Sequence, residues 1–145
     1  MTGKAMNFKL RPKNVIVIGG ASGIGFATAG KLIENGAENV IIASRNEQKL
    51  KEAANELNER FSADTTARVH YEKLDICDAE CHASFFNSIR TKIGSYPDGM
   101  VISSGVNFDG GNWKGFNISE NDWDKVMDTN LKAVFFLMRN FANYL

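Results

Sequence analysis

Two cysteines, Cys77 and Cys81, are all that this 145-residue sequence contains, too few for a disulfide framework. A reducing, cytoplasmic setting is therefore expected. Net charge is also missing: 17 basic residues balance 17 acidic ones, which argues against nucleic acid, an anionic membrane or a strongly charged partner. No apolar run is long enough to span a bilayer, and MTGKAMNFKLRPK at the start carries no signal-peptide core. The sequon Asn117-Ile118-Ser119 is accordingly read as an ordinary approach to a helix.

Familiar catalytic signatures are absent too. There is no G-x-S-x-G elbow, no H-E-x-x-H pair and no Walker lysine. Cys77, Cys81 and His82, with Asp75 and Asp78 nearby, have a spacing that fits no usual zinc pattern. They are read as buried or half-buried helix residues, with no metal expected, and His70 lies in a strand without an evident partner. At 43% hydrophobic and 23% charged the composition is that of an ordinary folded chain. The length suits one domain or part of one.

What is present is alternation. Val15–Ile18, Val40–Ala43 and Met100–Ile102 are short apolar runs, as strands buried on both faces should be. Arg68–Leu74 alternates polar and apolar residues, which suits an edge strand. Helices are expected over 24–35, with Gly36 past its end, and over 47–61, where Leu50, Ala53, Ala54, Leu57 and Phe61 share a face. A third helix follows Asp78 as its cap, burying Phe85, Phe86, Ile89 and Ile93. The glycine-rich, aromatic stretch 106–117 reads as an irregular loop near a site. Ser119-Glu120-Asn121-Asp122 then opens a helix that runs almost to the end. Strand and helix in strict alternation predict an α/β fold, a three-layer, Rossmann-like, doubly wound parallel sheet in the order 3-2-1-4 with later strands missing.

The first strand runs straight into IGGASGIG, residues 18–25. Glycine is costly to order, so a cluster here needs a reason. A tight turn at a helix N-terminus can leave backbone N–H groups free for a pyrophosphate, and any Cβ would hold that phosphate away. The alternative, a turn that merely reverses the chain, does not account for Gly19, Gly23 and Gly25 at these offsets between strand and helix.

This spacing resembles the T-G-x-x-x-G-x-G fingerprint of the classical short-chain dehydrogenases/reductases, with Ile18 in place of threonine. The resemblance implies cofactor contacts from Gly19, Ala21, Ser22, Gly23, Ile24 and Gly25. At the end of the second strand stands Ser44-Arg45-Asn46, with no acid to repel a 2′-phosphate and an arginine to receive one. NADP(H) is therefore expected in preference to NAD(H), the alternative being a solvated arginine at a helix start. A methyltransferase, which also uses a glycine turn, would expect an acid where Ser44 stands. Asp75, with Ile76, matches the family's aspartate that meets the adenine amino group, and a turn aspartate is the alternative. Ser103-Ser104-Gly105, following Ile102, replaces most of the family's N-N-A-G.

In the last helix Trp123, Val126, Met127, Leu131, Val134, Phe135, Met138 and Phe141 or Ala142 fall on one stripe, and Asn130 lies within it. A buried amide without partners costs about 1–3 kcal/mol, so it should be bonded to something specific. It could satisfy a carbonyl at a helix irregularity. WDKVMDTNL, residues 123–131, is similar to the family's segment carrying its catalytic asparagine, and the resemblance gives that role to Asn130, ordering a water beside the catalytic lysine.

The resemblance begins near Lys13 and covers the family's first half. Nothing matches the family's catalytic serine or Y-x-x-x-K: Tyr144 precedes one residue, and Tyr71 and Tyr96 have no lysine four positions on. The expectation is a dinucleotide-binding domain truncated before those residues, whether a fragment, an incompletely read gene or half of a split protein. The implied parent moves hydride between NADP(H) and a small-molecule carbonyl or secondary alcohol. The alternative is a non-catalytic dinucleotide-binding or interaction module. Self-association through residues 120–145 is a further implication, as are an unpaired sheet edge and a part-exposed aromatic helix.

Overall fold

The computed structural model describes residues 12–63, 65–107 and 118–145. The sequon's Asn117 and most of the 106–117 loop lie outside them.

Strand β1, Asn14–Ile18, is buried along its whole length. Only a central strand with both faces covered can hold such a run. β1 pairs in parallel with β2 (Asn39–Ser44) on one side and β4 (Gly99–Ile102) on the other. β3 (Arg68–Lys73) pairs with β2 and completes a four-stranded sheet in the order β3-β2-β1-β4, the order expected. Among the described residues β4 has no partner beyond β1.

Alternate side chains of one strand point to opposite faces. Val15, Val17, Val40 and Ile42 face α1 (Gly23–Glu34) and α2 (Glu47–Phe61), packing with Ala29, Ile33, Leu50, Ala53, Ala54 and Leu57. Ile16, Ile18, Ile41 and Ala43 face the other way. They meet Phe85, Phe86 and Ile89 of α3 (Cys81–Ile93) together with Ala133 and Leu137. Edge strand β3 is less buried, yet His70 is not without a partner: its Nε2 lies 3.1 Å from Asn39 Oδ1. Half-burial, then nearby Lys92 and Arg68, hold its imidazole below the ordinary histidine value.

Asp78 is not the cap of α3. The helix starts at Cys81, after a turn in which Asp78 Oδ1 accepts from the Glu80 N–H at 3.2 Å. An aspartate bonding two residues on makes a turn of its own, and that turn delays the helix.

The C-terminal helix departs furthest from the sequence reading. Ser119 caps α4 (Glu120–Met127) as expected, accepting from Asp122 N–H at 3.1 Å. Residues Asp128–Ala133 then form a π-helical segment before α5 (Val134–Tyr144). A stripe drawn at 3.6 residues per turn loses phase across a wider turn. The buried positions are therefore Ala133 and Leu137, while Trp123, Leu131, Phe135 and Met138 are exposed. Phe141 and Tyr144 pack on Phe86, with the Tyr144 hydroxyl donating to the Phe86 carbonyl at 2.8 Å.

That phase shift has a measurable consequence. Leu137→Ala should cost about 2–5 kcal/mol, as for other buried leucines, whereas Phe135→Ala should stay within about 0.5 kcal/mol, as at ordinary surface positions. Urea denaturation of the two variants distinguishes this order from the reverse order given by an uninterrupted α-helical stripe.

Candidate functional site

The chain leaves β1 at Ile18 and turns at once. Gly19 has φ +81, and its N–H donates to the Ala43 carbonyl at 2.7 Å. A Cβ here would lie 2.7 Å from Ser104 N, and one on Gly20 would lie 2.7 Å from the Ile42 side chain. A Cβ on Gly25 would collide with the Gly19 carbonyl oxygen. Gly19 and Gly25 are required by backbone approach, Gly20 by the Ile42 side chain and the Val17 carbonyl. Gly23 differs: φ is +55, and nothing lies within 4 Å of where its Cβ would be. It borders open space. The sequence reading passed over Gly20; its signal was its position immediately after the strand, against a neighbouring buried one.

No N–H from Gly20 to Gly25 donates to an acceptor among the described residues. The N-cap Ser22 makes no side-chain cap bond, and the first turn of α1 has no acidic residue. The helix therefore presents an uncompensated positive end with free donors.

These residues form one side of a cleft of about 430 Å³ across the carboxyl ends of the strands. Gly19, Ser22, Gly23 and the 81%-exposed Ile24 come from the first turn. Ser44 and Arg45 come from beyond β2, Asp75 and Ile76 from beyond β3, and Ser103, Ser104 and Gly105 from beyond β4. Arg45 is exposed and has no ion pair or hydrogen bond among the described residues. Asp75 uses Oδ1 to accept from Cys77 N–H at 3.0 Å, as a turn aspartate does, which leaves its other oxygen available. Ser104 Oγ is buried without a partner, an arrangement that costs about 1–3 kcal/mol unless a ligand supplies one.

Not every expected residue lines this cleft. Ala21 packs against the α1–α2 side of the core, Gly25 is buried beneath the turn, and Asn46 caps α2 by accepting from Lys49 N–H at 3.0 Å. Asn130 is exposed rather than buried, in the π segment. Its Oδ1 accepts from Val106 N–H at 2.8 Å and its Nδ2 donates to the Val106 carbonyl at 2.7 Å. The amide thus braces the segment leaving β4, from a position in the helix irregularity. Leu74, Cys77, Val106 and Thr129 also line the cleft, and none of them is among the cofactor-binding residues the sequence suggests. Each adjoins a candidate in sequence, but no motif marks it.

The cysteines are both free and exposed, contrary to their reading as buried or half-buried residues. The Cys81 thiol donates to Asp78 Oδ2 at 2.8 Å, and that carboxylate pushes it above the usual thiol range. Only His82 is buried.

The family model for the short chain dehydrogenases matches residues 13–145. The chain belongs to that family. It is 32% identical over 130 residues to a 3-oxoacyl-(acyl-carrier-protein) reductase of Chlamydia muridarum, covering 90% of this chain and 49% of that enzyme. A short chain dehydrogenase from Mycobacterium smegmatis superposes with TM-score 0.78 at 26% identity, over 92% of this chain and 52% of that one. A metagenomic short-chain oxidoreductase in complex with NADP gives 0.72 at 28% identity, over 91% and 56%. The chain spans about half the length of the curated relatives it matches.

The glycines separate packing from binding. Gly25→Ala should destabilise the fold by about 3 kcal/mol, the upper range for overpacking. Gly23→Ala should lose only the left-handed penalty, about 1–2 kcal/mol. Thermal melts of both variants check this ordering.

Proposed function

We propose that the cleft is the adenosine diphosphate half of an NADP(H) site, and that the whole protein is an NADP(H)-dependent oxidoreductase acting on a small-molecule carbonyl or secondary alcohol. The observation carrying this reading is the set of free N–H groups from Gly20 to Gly25, at a helix end without an acid. A pyrophosphate supplies the acceptors and the negative charge that this turn lacks.

The surrounding residues fit the remainder of the group. Gly23 leaves room for a phosphate to approach the backbone. Ser104 Oγ supplies a buried donor without a partner. Ser44 and Arg45 lie at the end of β2, where a 2′-phosphate would be read; Arg45 offers a fork that no ion pair occupies among the described residues. The free oxygen of Asp75 can accept from the adenine amino group, with Ile76 as the apolar wall beside it.

When bound, the nicotinamide carries the hydride. None of these 145 residues matches the family's serine or Y-x-x-x-K, so the role assigned to this chain is to bind and orient. Asn130 supports that role indirectly, by fixing Val106 at the cleft wall through both backbone groups.

Titration of the chain with NADPH and NADH, followed by nicotinamide fluorescence, tests the reading. NADPH should bind at least about tenfold more tightly. Arg45→Ala should weaken NADPH by about 10–100-fold, as for loss of charge-assisted hydrogen bonds, and leave NADH nearly unchanged. Equal indifference of the unaltered chain to both nucleotides would overturn the proposal.

A further inference from the structure

We propose that Arg139, Asn140 and His82 form a hydrogen-bond chain of fixed direction that holds the Ile76 wall of the cleft in place, with His82 as the positioning residue. This rests on reading the cleft as a dinucleotide site.

His82 is 0% exposed, in an apolar layer otherwise made by Phe85, Phe86 and Ile89. A buried imidazole needs partners for its ring nitrogens. Nε2 lies 3.1 Å from the Ile76 carbonyl, which can only accept, so Nε2 carries the hydrogen. Nδ1 lies 3.0 Å from Asn140 Nδ2, which can only donate, so Nδ1 accepts. The geometry requires one tautomer.

The Asn140 amide cannot be turned over at no cost. Its Oδ1 accepts from Arg139 Nε at 3.3 Å and Nη2 at 3.1 Å, and a reversed amide would set NH₂ against those donors. The guanidinium lies 4.7 Å from the Phe136 ring centroid, a cation–π contact. Every hydrogen bond therefore points inward, from the surface of α5 to the Ile76 carbonyl, and bonds aligned in this way reinforce one another.

Ile76 is the end of the chain and lines the cleft. It lies between β3 and α3, outside the strand ladder, where no sheet bond fixes its carbonyl. Beside it the Asp75 side chain accepts from Cys77 N–H and the Asp75 carbonyl from Asp78 N–H at 3.1 Å. A displaced Ile76 carbonyl would carry Asp75 with it. His82 is thus placed to set where the candidate adenine contacts stand.

Two amide variants divide the role of the imidazole. Glutamine can reach the Nε2 position and donate to Ile76; asparagine reaches only the Nδ1 position and can accept from Asn140. With NADPH as the probe, His82→Asn should weaken binding about tenfold and His82→Gln about twofold, the effect of losing or retaining one buried hydrogen bond. Without nucleotide, hydrogen exchange of the Cys77 and Asp78 amides should quicken in His82→Asn and hold in His82→Gln. Asn140→Ala, which keeps the ring, should quicken it in the same direction. Equal loss of affinity and protection in both His82 variants, or no change at Cys77 and Asp78 in any of the three, would overturn the inference. Should the exchange pattern appear in a chain that binds no NADPH, the positioning role stands and the dinucleotide reading falls.

Discussion

Gly25 lies so close beneath the Gly19 carbonyl that no Cβ can stand between them. This contact between backbone and backbone determines the rest of the site. It draws the start of α1 under the end of β1, so the first helical turn opens at the sheet's carboxyl edge rather than beside it. The N–H groups there have no acceptor among the described residues; of the turn, only Gly19 N–H reaches the sheet, at the Ala43 carbonyl. Free donors at this end follow from the packing. Their chemistry, an affinity for negative oxygen, follows from the orientation of the peptide dipoles.

The layers beneath are built to hold this arrangement without help from it. Both faces of β1 are covered by aliphatic and aromatic side chains, and the largest of these, Phe86, Ile16 and Ile41 among them, are fully buried. At the cleft stand groups that the fold itself leaves unsatisfied: the buried Ser104 hydroxyl without a partner, the N–H groups of residues 20–25, and Arg45, which has no ion pair among the described residues. A marginally stable fold can carry a few such groups only where a large core supports them. Their concentration along one edge is the physical argument for a ligand there.

Much of this was legible in the sequence because it depends on local pattern. Runs such as Val15–Ile18 have no stable place but a sheet covered on both faces, and Ser119 with Asp122 marks a helix start wherever it occurs. α2 was legible to its bounds, Glu47–Phe61, because Asn46 and its apolar face agree. Periodicity failed at residues 123–142 for a definite reason. The wide turn at Asp128–Ala133 is stabilised from outside, by Asn130 gripping the backbone of Val106, a residue 24 positions away. No helical template contains that partner. The same limit hid the link from His82 to Asn140, which joins residues 58 apart, and the cleft-lining roles of Thr129 and Cys77.

Asn130 and His82 show how polar groups can be placed in such a fold without weakening it. Each satisfies main-chain atoms of a segment that has left the sheet: Val106 after β4, Ile76 after β3. Once a strand ends, its backbone loses the ladder that aligned it, and an apolar neighbour can fill space beside it but cannot orient its amides. A side chain with donor and acceptor on a rigid helix can. Both residues stand on helices packed against the Ile16 face of the sheet, so the positions of two cleft walls are referred to one layer of the core. The glycine turn takes its position from the backbone itself, and the opposite walls take theirs from an amide and an imidazole. The cleft keeps its shape because the three supports converge on the same four strands.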